Sequence, residues 1–254
     1  MKNEKNVILF GASQGIGEAL AYEYAFNGAN LVLLSRNEDA IKRITEEIDS
    51  KGGKAFYKKC DVSSPEQVKE GINYSLEKLS TIDIVIINSG VGSPEWIDEF
   101  RSEDFKKTVG INTFGIAHVL ECIIPIMKKQ GYGKIAGVTS LADVRGYPGS
   151  AGYCASKAAA SILLESARVE LHKHNIRVVT VKPGFVKTAM TDKNEFYMPF
   201  LMSTEKAAKI IRKGIEKGKS IVQFPFGTVM LTRFVKYLPN WIYDFALRNL
   251  RKEE

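Results

Sequence analysis

Short, almost wholly apolar runs alternate along the chain with longer segments in which apolar residues recur every three or four positions. Asn6–Ala12, Asn30–Ser35, Ile82–Ile87, Lys134–Val138, Ile176–Val181 and Ser220–Phe224 have the length and the Val/Ile/Leu content of buried strands, and Ala55–Cys60 reads as a weaker one. The intervening pattern predicts helices over Gly15–Asn27, Glu38–Lys51, Ser102–Lys129, Tyr153–Lys173 and Thr204–Lys217. In the second of these, Ile41, Ile44 and Ile48 fall on one face. A further helix starts at Ser64, whose hydroxyl suits an N-cap, with Pro65 and Glu66 in its first turn. The helix from Ser102 is interrupted by Gly110, Gly115 and Pro125. Apolar strands separated by helices imply a parallel sheet covered on both faces. The expected fold is therefore α/β, a doubly wound seven-stranded parallel sheet over residues 1–226, with amphipathic helices over 227–254 packed on the same domain.

The 254 residues, 44% hydrophobic and 26% charged, suffice for one sizeable core and exclude a disordered or collagen-like chain. Three cysteines (Cys60, Cys122, Cys154) without a CxxC pair, and three histidines (His118, His172, His174), argue against a disulfide framework and a metal cluster. A reducing, cytoplasmic setting is expected, with no metal. The apolar run Val7–Phe10 is too short for a signal peptide, and no uninterrupted apolar run reaches the ~18 residues of a membrane span. The net charge of +7 is concentrated: Glu205–Glu254 hold eleven Lys/Arg against five Asp/Glu. With no nucleic-acid-binding motif, this excess does not imply a nucleic-acid partner.

In doubly wound sheets, ligands bind beyond the carboxyl ends of the strands. The first strand runs into Gly11-Ala12-Ser13-Gln14-Gly15-Ile16-Gly17, where glycines allow a sharp turn and close approach of a pyrophosphate to a helix N-terminus. The second ends in Ser35-Arg36. A dinucleotide site selective for NAD usually places a carboxylate there to hold the ribose. A neutral Ser followed by a cation that can grip a 2′-phosphate favours NADP(H), with NAD(H) the lesser alternative. Asp61-Val62 follow the third strand, Asn88-Ser89-Gly90 the fourth and Ser140 the fifth, and Tyr153 and Lys157 share a helix face at i and i+4.

In this order, Gly11-x-x-x-Gly15-x-Gly17, Asp61, Asn88-Ser89-Gly90, Asn112, Ser140, Tyr153-x-x-x-Lys157 and Pro183-Gly184 followed by Thr188 resemble the short-chain dehydrogenase/reductase family, over residues 5 to 225. The resemblance implies a Rossmann-type sheet, carbonyl–alcohol interconversion and a catalytic tetrad of Asn112, Ser140, Tyr153 and Lys157. It implies cofactor contacts from Gly11, Ser13, Gln14, Gly15, Ile16, Gly17, Ser35, Arg36, Asp61, Val62, Asn88, Ser89, Gly90, Tyr153, Lys157, Pro183, Gly184, Val186 and Thr188. It also implies a homodimer or homotetramer through the Ser102–Lys129 and Tyr153–Lys173 helices, whose faces at Ala117, Cys122, Ala158 and Ser161 are small. Phe10, Ser89 and Asp143 stand where the family more often has Thr, Ala and Gly. Asp143 is expected to be a turn residue facing water, and Cys154 a packed small residue.

Tyrosine is a poor acid near neutrality, with an ordinary pKa of ~10, so the Lys157 ammonium and a positively charged nicotinamide are expected to favour its phenolate. Ser140 would polarise the carbonyl, and Asn112 would hold a water in a proton relay at a helix bulge. The apolar stretch holding Phe185, Met190, Phe196, Tyr197, Met198, Phe200, Leu201 and Met202 suggests a hydrophobic carbonyl compound: lipid-, steroid- or aryl-like. The alternative from another class is a non-catalytic NADP(H)-binding sensor or scaffold on the same fold. In the tail, Val229–Leu238 and Trp241–Leu250 are apolar over nearly all their circumference, with Asp244, Arg248 and Arg251 a narrow polar stripe on the second. They are expected to pack on the substrate-side end of the body, and peripheral membrane contact is a further possibility.

Overall fold

The computed structural model describes residues 4–92, 94–193 and 197–248. Seven strands, β1 (Asn6–Phe10), β2 (Asn30–Ser35), β3 (Lys54–Lys59), β4 (Ile84–Ile87), β5 (Gly133–Val138), β6 (Ile176–Pro183) and β7 (Ile221–Phe224), form one sheet in the order β3-β2-β1-β4-β5-β6-β7. Every pairing is parallel. The chain winds outward from β1 to β3, then returns to the other side of β1 to begin β4, so a crevice opens between β1 and β4 at their carboxyl ends. β6 runs two residues past the predicted Val181, because Lys182 and Pro183 still pair with Gln223 and Phe224 of β7.

Alternation along the strands divides the core into two layers. Val7 and Leu9 face α1 (Gly15–Ala25), α2 (Glu38–Ser50) and α7 (Thr204–Glu216), through Leu20, Ile44 and Ile211 among others. Ile8 and Phe10 face α3 (Pro65–Leu79), α5 (Gly115–Gln130) and α6 (Ala151–Leu171), through Ile72, Ile123 and Leu164. Ser64 caps α3 as its sequence predicts, accepting a bond from the Gln67 N–H.

The predicted Ser102–Lys129 helix is three pieces: α4 (Ser102–Val109), a π-helical turn (Gly110–Phe114) and α5. By length and composition alone, Ser102–Gln130 is long and apolar enough to cross a membrane. Its apolar face is nevertheless spoken for: Ile116, Val119, Ile123 and Met127 are buried in the second core layer. The tail forms α8 (Phe226–Tyr237) and α9 (Asn240–Leu247). Leu250 and Arg251, assigned to that last helix and its stripe from the sequence, lie outside the described residues.

Candidate active site

The glycine turn between β1 and α1 is built from backbone fit. Gly11 and Gly15 have φ of +77° and +60°, which other residues rarely adopt. A Cβ on Gly17 would lie 2.0 Å from the Gly11 carbonyl oxygen, so only glycine lets the helix start so close to the turn. Asn88 Nδ2 donates to that same carbonyl (2.9 Å), tying the end of β4 to the turn. The starts of α2, α3 and α7 are capped by Asn37, Ser64 and Ser203, whereas Gln14 gives α1 no side-chain cap. Uncapped first-turn N–H groups at a positive helix end, with Gly15 and Ile16 lining the cleft, suit a pyrophosphate.

One cleft collects nearly all the residues expected to hold a dinucleotide. Gly11, Ser13, Gln14, Gly15 and Ile16 line it from the turn, Ser35 and Arg36 from β2, and Asp61 and Val62 from β3. Asn88, Ser89 and Gly90 enter from β4, Ser140 follows β5, and Pro183, Gly184, Val186 and Thr188 follow β6. Gly17 and Asn112 do not line it; they support residues that do. Cys60, Ile111, Val138, Thr139, Ala189 and Thr191 line it without having been singled out from the sequence. Thr139 directly precedes Ser140 at a strand end, a position the strand-end rule covers. Arg36 is exposed, its Nη1 3.9 Å from Asp61 Oδ2, a loose pair that leaves the guanidinium available.

Tyr153 and Lys157 project from α6 into this cleft. Ser140 lies close enough to the Tyr153 phenol to lower its pKa. Lys157 is buried; its Nζ donates to the Val138 carbonyl (3.0 Å) and stands 5.8 Å from the Tyr153 ring centroid. Burial pulls the Lys157 ammonium down to about 8, and the Asp143 charge opposes that fall. Burial also pushes the Tyr153 phenol above its ordinary range, while the nearby Ser140 side chain works the other way.

Asn112 sits in the π-helical turn, fully buried. Its amide is spent on the protein: Nδ2 donates to the Val91 carbonyl (2.9 Å) and Ser156 Oγ (3.0 Å), and Oδ1 accepts from the Val91 N–H (2.8 Å). The side chain is therefore a strut between the β4 loop and α6, and a lone pair on Oδ1 is what it retains for a water. A Cβ on Gly90 would stand 3.1 Å from Lys157 Nζ and 3.3 Å from Asn112 Oδ1, so both groups converge on this glycine.

Asp143 does not face water. Its side chain is 2% exposed, with Oδ2 2.7 Å from Lys182 Nζ and accepting a hydrogen bond from Ser161. The sequence hides this partnership because the lysine comes from the end of β6. Ser161 is buried, and with Ala158 and Ile162 it lines a groove next to Asp143. Ile162 and Val169 of α6 are exposed, as is Phe114, which directly precedes α5. Cys154 is buried and its thiol is pushed up by burial, as suits a packing residue.

The apolar segment after Gly184 divides. Met190 lines the cleft; a Cβ on Gly92 would meet the Tyr153 ring at 3.1 Å and Met190 Sδ at 3.5 Å, so the three converge. Met202 packs on the core and bridges to Val186, and Phe185 and Met198 are half-buried. Tyr197, Phe200 and Leu201 are exposed, and Phe196 lies outside the described residues. The tail does reach the catalytic end. Arg145 Nη1 donates to the Val235 and Leu238 carbonyls and Nη2 to Asn240 Oδ1, and Tyr243 Oη donates to the Gly146 carbonyl. Yet α9 buries no residue, contrary to the burial its broad apolar face suggested.

The sequence matches the short chain dehydrogenase family over residues 5–196, and the chain belongs to that family. An oxidoreductase of undefined substrate from Myxococcus xanthus is 34% identical over 97% of this chain and 98% of its own length. The 7alpha-hydroxysteroid dehydrogenase of Escherichia coli is 34% identical over 72% of each chain. A short chain dehydrogenase/reductase from Burkholderia phymatum, solved in complex with NAD, superposes with a TM-score of 0.84 over 96% of this chain and 95% of its own, at 23% identity. The protein is accordingly an oxidoreductase of this family, acting on CH–OH groups, with the fold expected from its sequence.

Proposed function

We propose that the protein interconverts a ketone and a secondary alcohol on an apolar substrate with NADP(H), using Tyr153 as the proton donor and acceptor. The observation that carries this reading is the convergence of Ser140, Tyr153 and Lys157 on one dinucleotide-shaped cleft. When bound, the nicotinamide supplies the hydride for reduction and accepts it in oxidation. In reduction, Ser140 donates a hydrogen bond to the substrate carbonyl oxygen, and Tyr153 passes its proton to that oxygen as negative charge develops there. In oxidation, the Tyr153 phenolate takes the alcohol proton. Lys157, close behind the tyrosine, holds its positive charge against that phenolate and is placed to bond the nicotinamide ribose. Asn112 fixes the loop at Val91 that carries Gly90 and Gly92 past both groups.

The uncapped start of α1 would hold the pyrophosphate, and Arg36, paired only loosely with Asp61, would hold a 2′-phosphate. Met190, opposite Tyr153 across the space left by Gly92, favours an apolar substrate, and the hydroxysteroid dehydrogenase relative fits that class. A panel of aliphatic, aryl and steroid ketones, followed by loss of NADPH absorbance, tests the reading. Turnover with apolar ketones is expected; cofactor binding without turnover on any of them would favour the non-catalytic sensor.

A homo-oligomer built on α5 and α6 accompanies this proposal, supported by exposed Phe114, Ile162 and Val169. Light scattering of Ile162→Glu should show a smaller assembly than the unaltered protein.

A further inference from the structure

The two tail helices leave a row of large apolar side chains in water. On α8, Phe226, Met230, Phe234 and Tyr237 recur three or four residues apart and so share one face; on α9, Trp241 and Phe245 do the same. All six are between 47% and 80% exposed. The opposite sides of both helices are fastened to the same short segment of the body. Arg145 holds the end of α8 and the start of α9 through three hydrogen bonds, its guanidinium 4.0 Å from the Tyr243 ring centroid, and the Tyr243 hydroxyl bonds Gly146. With their inner sides fixed to one segment, the apolar rows of both helices turn away from it. Phe200, itself exposed, packs on Gly227 at the start of α8 and extends the surface toward the segment after β6.

The charges on these two helices are mostly basic. Residues 226–248 contain Arg233, Lys236 and Arg248, all exposed, against a single carboxylate, Asp244. Two of the cations lie over rings of the row, Lys236 Nζ 5.7 Å from the Tyr237 centroid and Arg248 4.8 Å from that of Phe245. An apolar row that includes Trp and Tyr, with basic side chains alongside, is the composition that settles helices about 5–10 Å into a bilayer surface.

We infer that α8 and α9 form a docking surface for an anionic lipid bilayer. The surface borders the reaction. α8 packs on the turn Leu141–Val144 that follows Ser140, and Thr228 packs on Gly184 at the rim of the cleft. Docking there would bring the catalytic end toward the lipid, from which an apolar ketone could be drawn. The docking itself does not depend on the proposed reaction; only its link to an apolar substrate does.

Co-sedimentation with sucrose-loaded vesicles, of phosphatidylcholine alone or with phosphatidylglycerol, tests this without requiring turnover. The full-length protein should bind the anionic vesicles and bind the neutral ones more weakly. Trp241→Glu/Phe245→Glu and Arg233→Glu/Arg248→Glu should each weaken binding to anionic vesicles by roughly tenfold or more. Both variants alter exposed side chains, so NADPH binding and the thermal midpoint should stay as in the unaltered protein. Failure of the unaltered protein to bind anionic vesicles would overturn the inference. So would a Trp241→Glu/Phe245→Glu variant that binds vesicles normally while its oligomer dissociates, since the face would then be a subunit contact.

Discussion

The Asp143 carboxylate and the Lys182 ammonium form a buried ion pair, 2.7 Å apart, beneath the turn that presents Ser140. Ser161 of α6 donates a hydrogen bond to the same carboxylate oxygen. The group thus joins the Ser140 turn, β6 and α6, three elements that together place Ser140, Tyr153 and Lys157. Removing one partner of such a pair strands the other charge. Asp143→Ala should therefore destabilise the fold by ~3–5 kcal/mol in denaturant unfolding, and Asp143→Leu/Lys182→Met should recover most of that loss. A loss below 1 kcal/mol for the single variant would mean that water already solvates Lys182.

The position of Lys157 carries a stability cost that depends on pH. Its folded-state value of about 8 lies below the ordinary lysine value of 10.5. Between these two values the unfolded chain binds more protons than the folded one, so stability rises with pH across that window and the cost is fully present below it. Lys157→Met should stabilise the cofactor-free protein below pH ~8 by up to ~3 kcal/mol, reduced by the lost bond to the Val138 carbonyl, and should flatten the rise between pH 8 and 10. The same variant should lose turnover. Equal stability of both proteins at pH 7 would show that the ammonium is solvated in the fold.

Tyr153→Phe removes a hydroxyl and little else. If Tyr153 transfers the proton, turnover on a responsive ketone should fall by ~10²–10⁴-fold, with cofactor affinity nearly unchanged, because the glycine turn and Lys157 are intact. A variant retaining more than about a tenth of the rate would assign the proton to another group.

What the sequence made legible follows from locality. Most of the strands are predominantly apolar, with β3 the exception, and periodic segments separate them, which suffices for a parallel sheet. Gly11 to Gly17 and the pair Tyr153 and Lys157 are short-range patterns whose geometry is set by one turn and one helix. Gly110 and Gly115 flagged the irregular turn at Asn112 because glycine weakens helices. Asp143 was misread because its meaning lies in Lys182 and Ser161, which only the fold brings to it. The direction of the tail's apolar face was likewise illegible: breadth of an apolar surface says that it needs covering, not by what.

Arg36 separates the two cofactors. It is exposed, and Asp61 at 3.9 Å holds it only weakly, so a 2′-phosphate can take it without breaking a strong pair. Loss of one charge-assisted contact costs ~1.5–3 kcal/mol, or roughly 10- to 150-fold in affinity. Fluorescence titration of Arg36→Ala should show that loss for NADPH and almost none for NADH. An equal loss for both would mean that Arg36 supports the loop and does not read the phosphate.

Arg145 fastens the tail to the catalytic end. Its planar guanidinium meets three acceptors in two directions while lying on the Tyr243 ring, a geometry that an ammonium cannot reproduce. Arg145→Ala should free α8 and α9, seen as faster tryptic cleavage within residues 226–248, and Arg145→Lys should restore little of the protection. If the tail shelters the cleft mouth beside the Ser140 turn, the KM for an apolar ketone should rise several-fold while kcat changes little, since Arg145 is absent from the residues that line the cleft. Proton transfer by Tyr153 and NADPH affinity should be untouched. Cleavage rates equal to those of the unaltered protein would show that packing of α8 on the Leu141–Val144 turn, rather than Arg145, holds the tail in place.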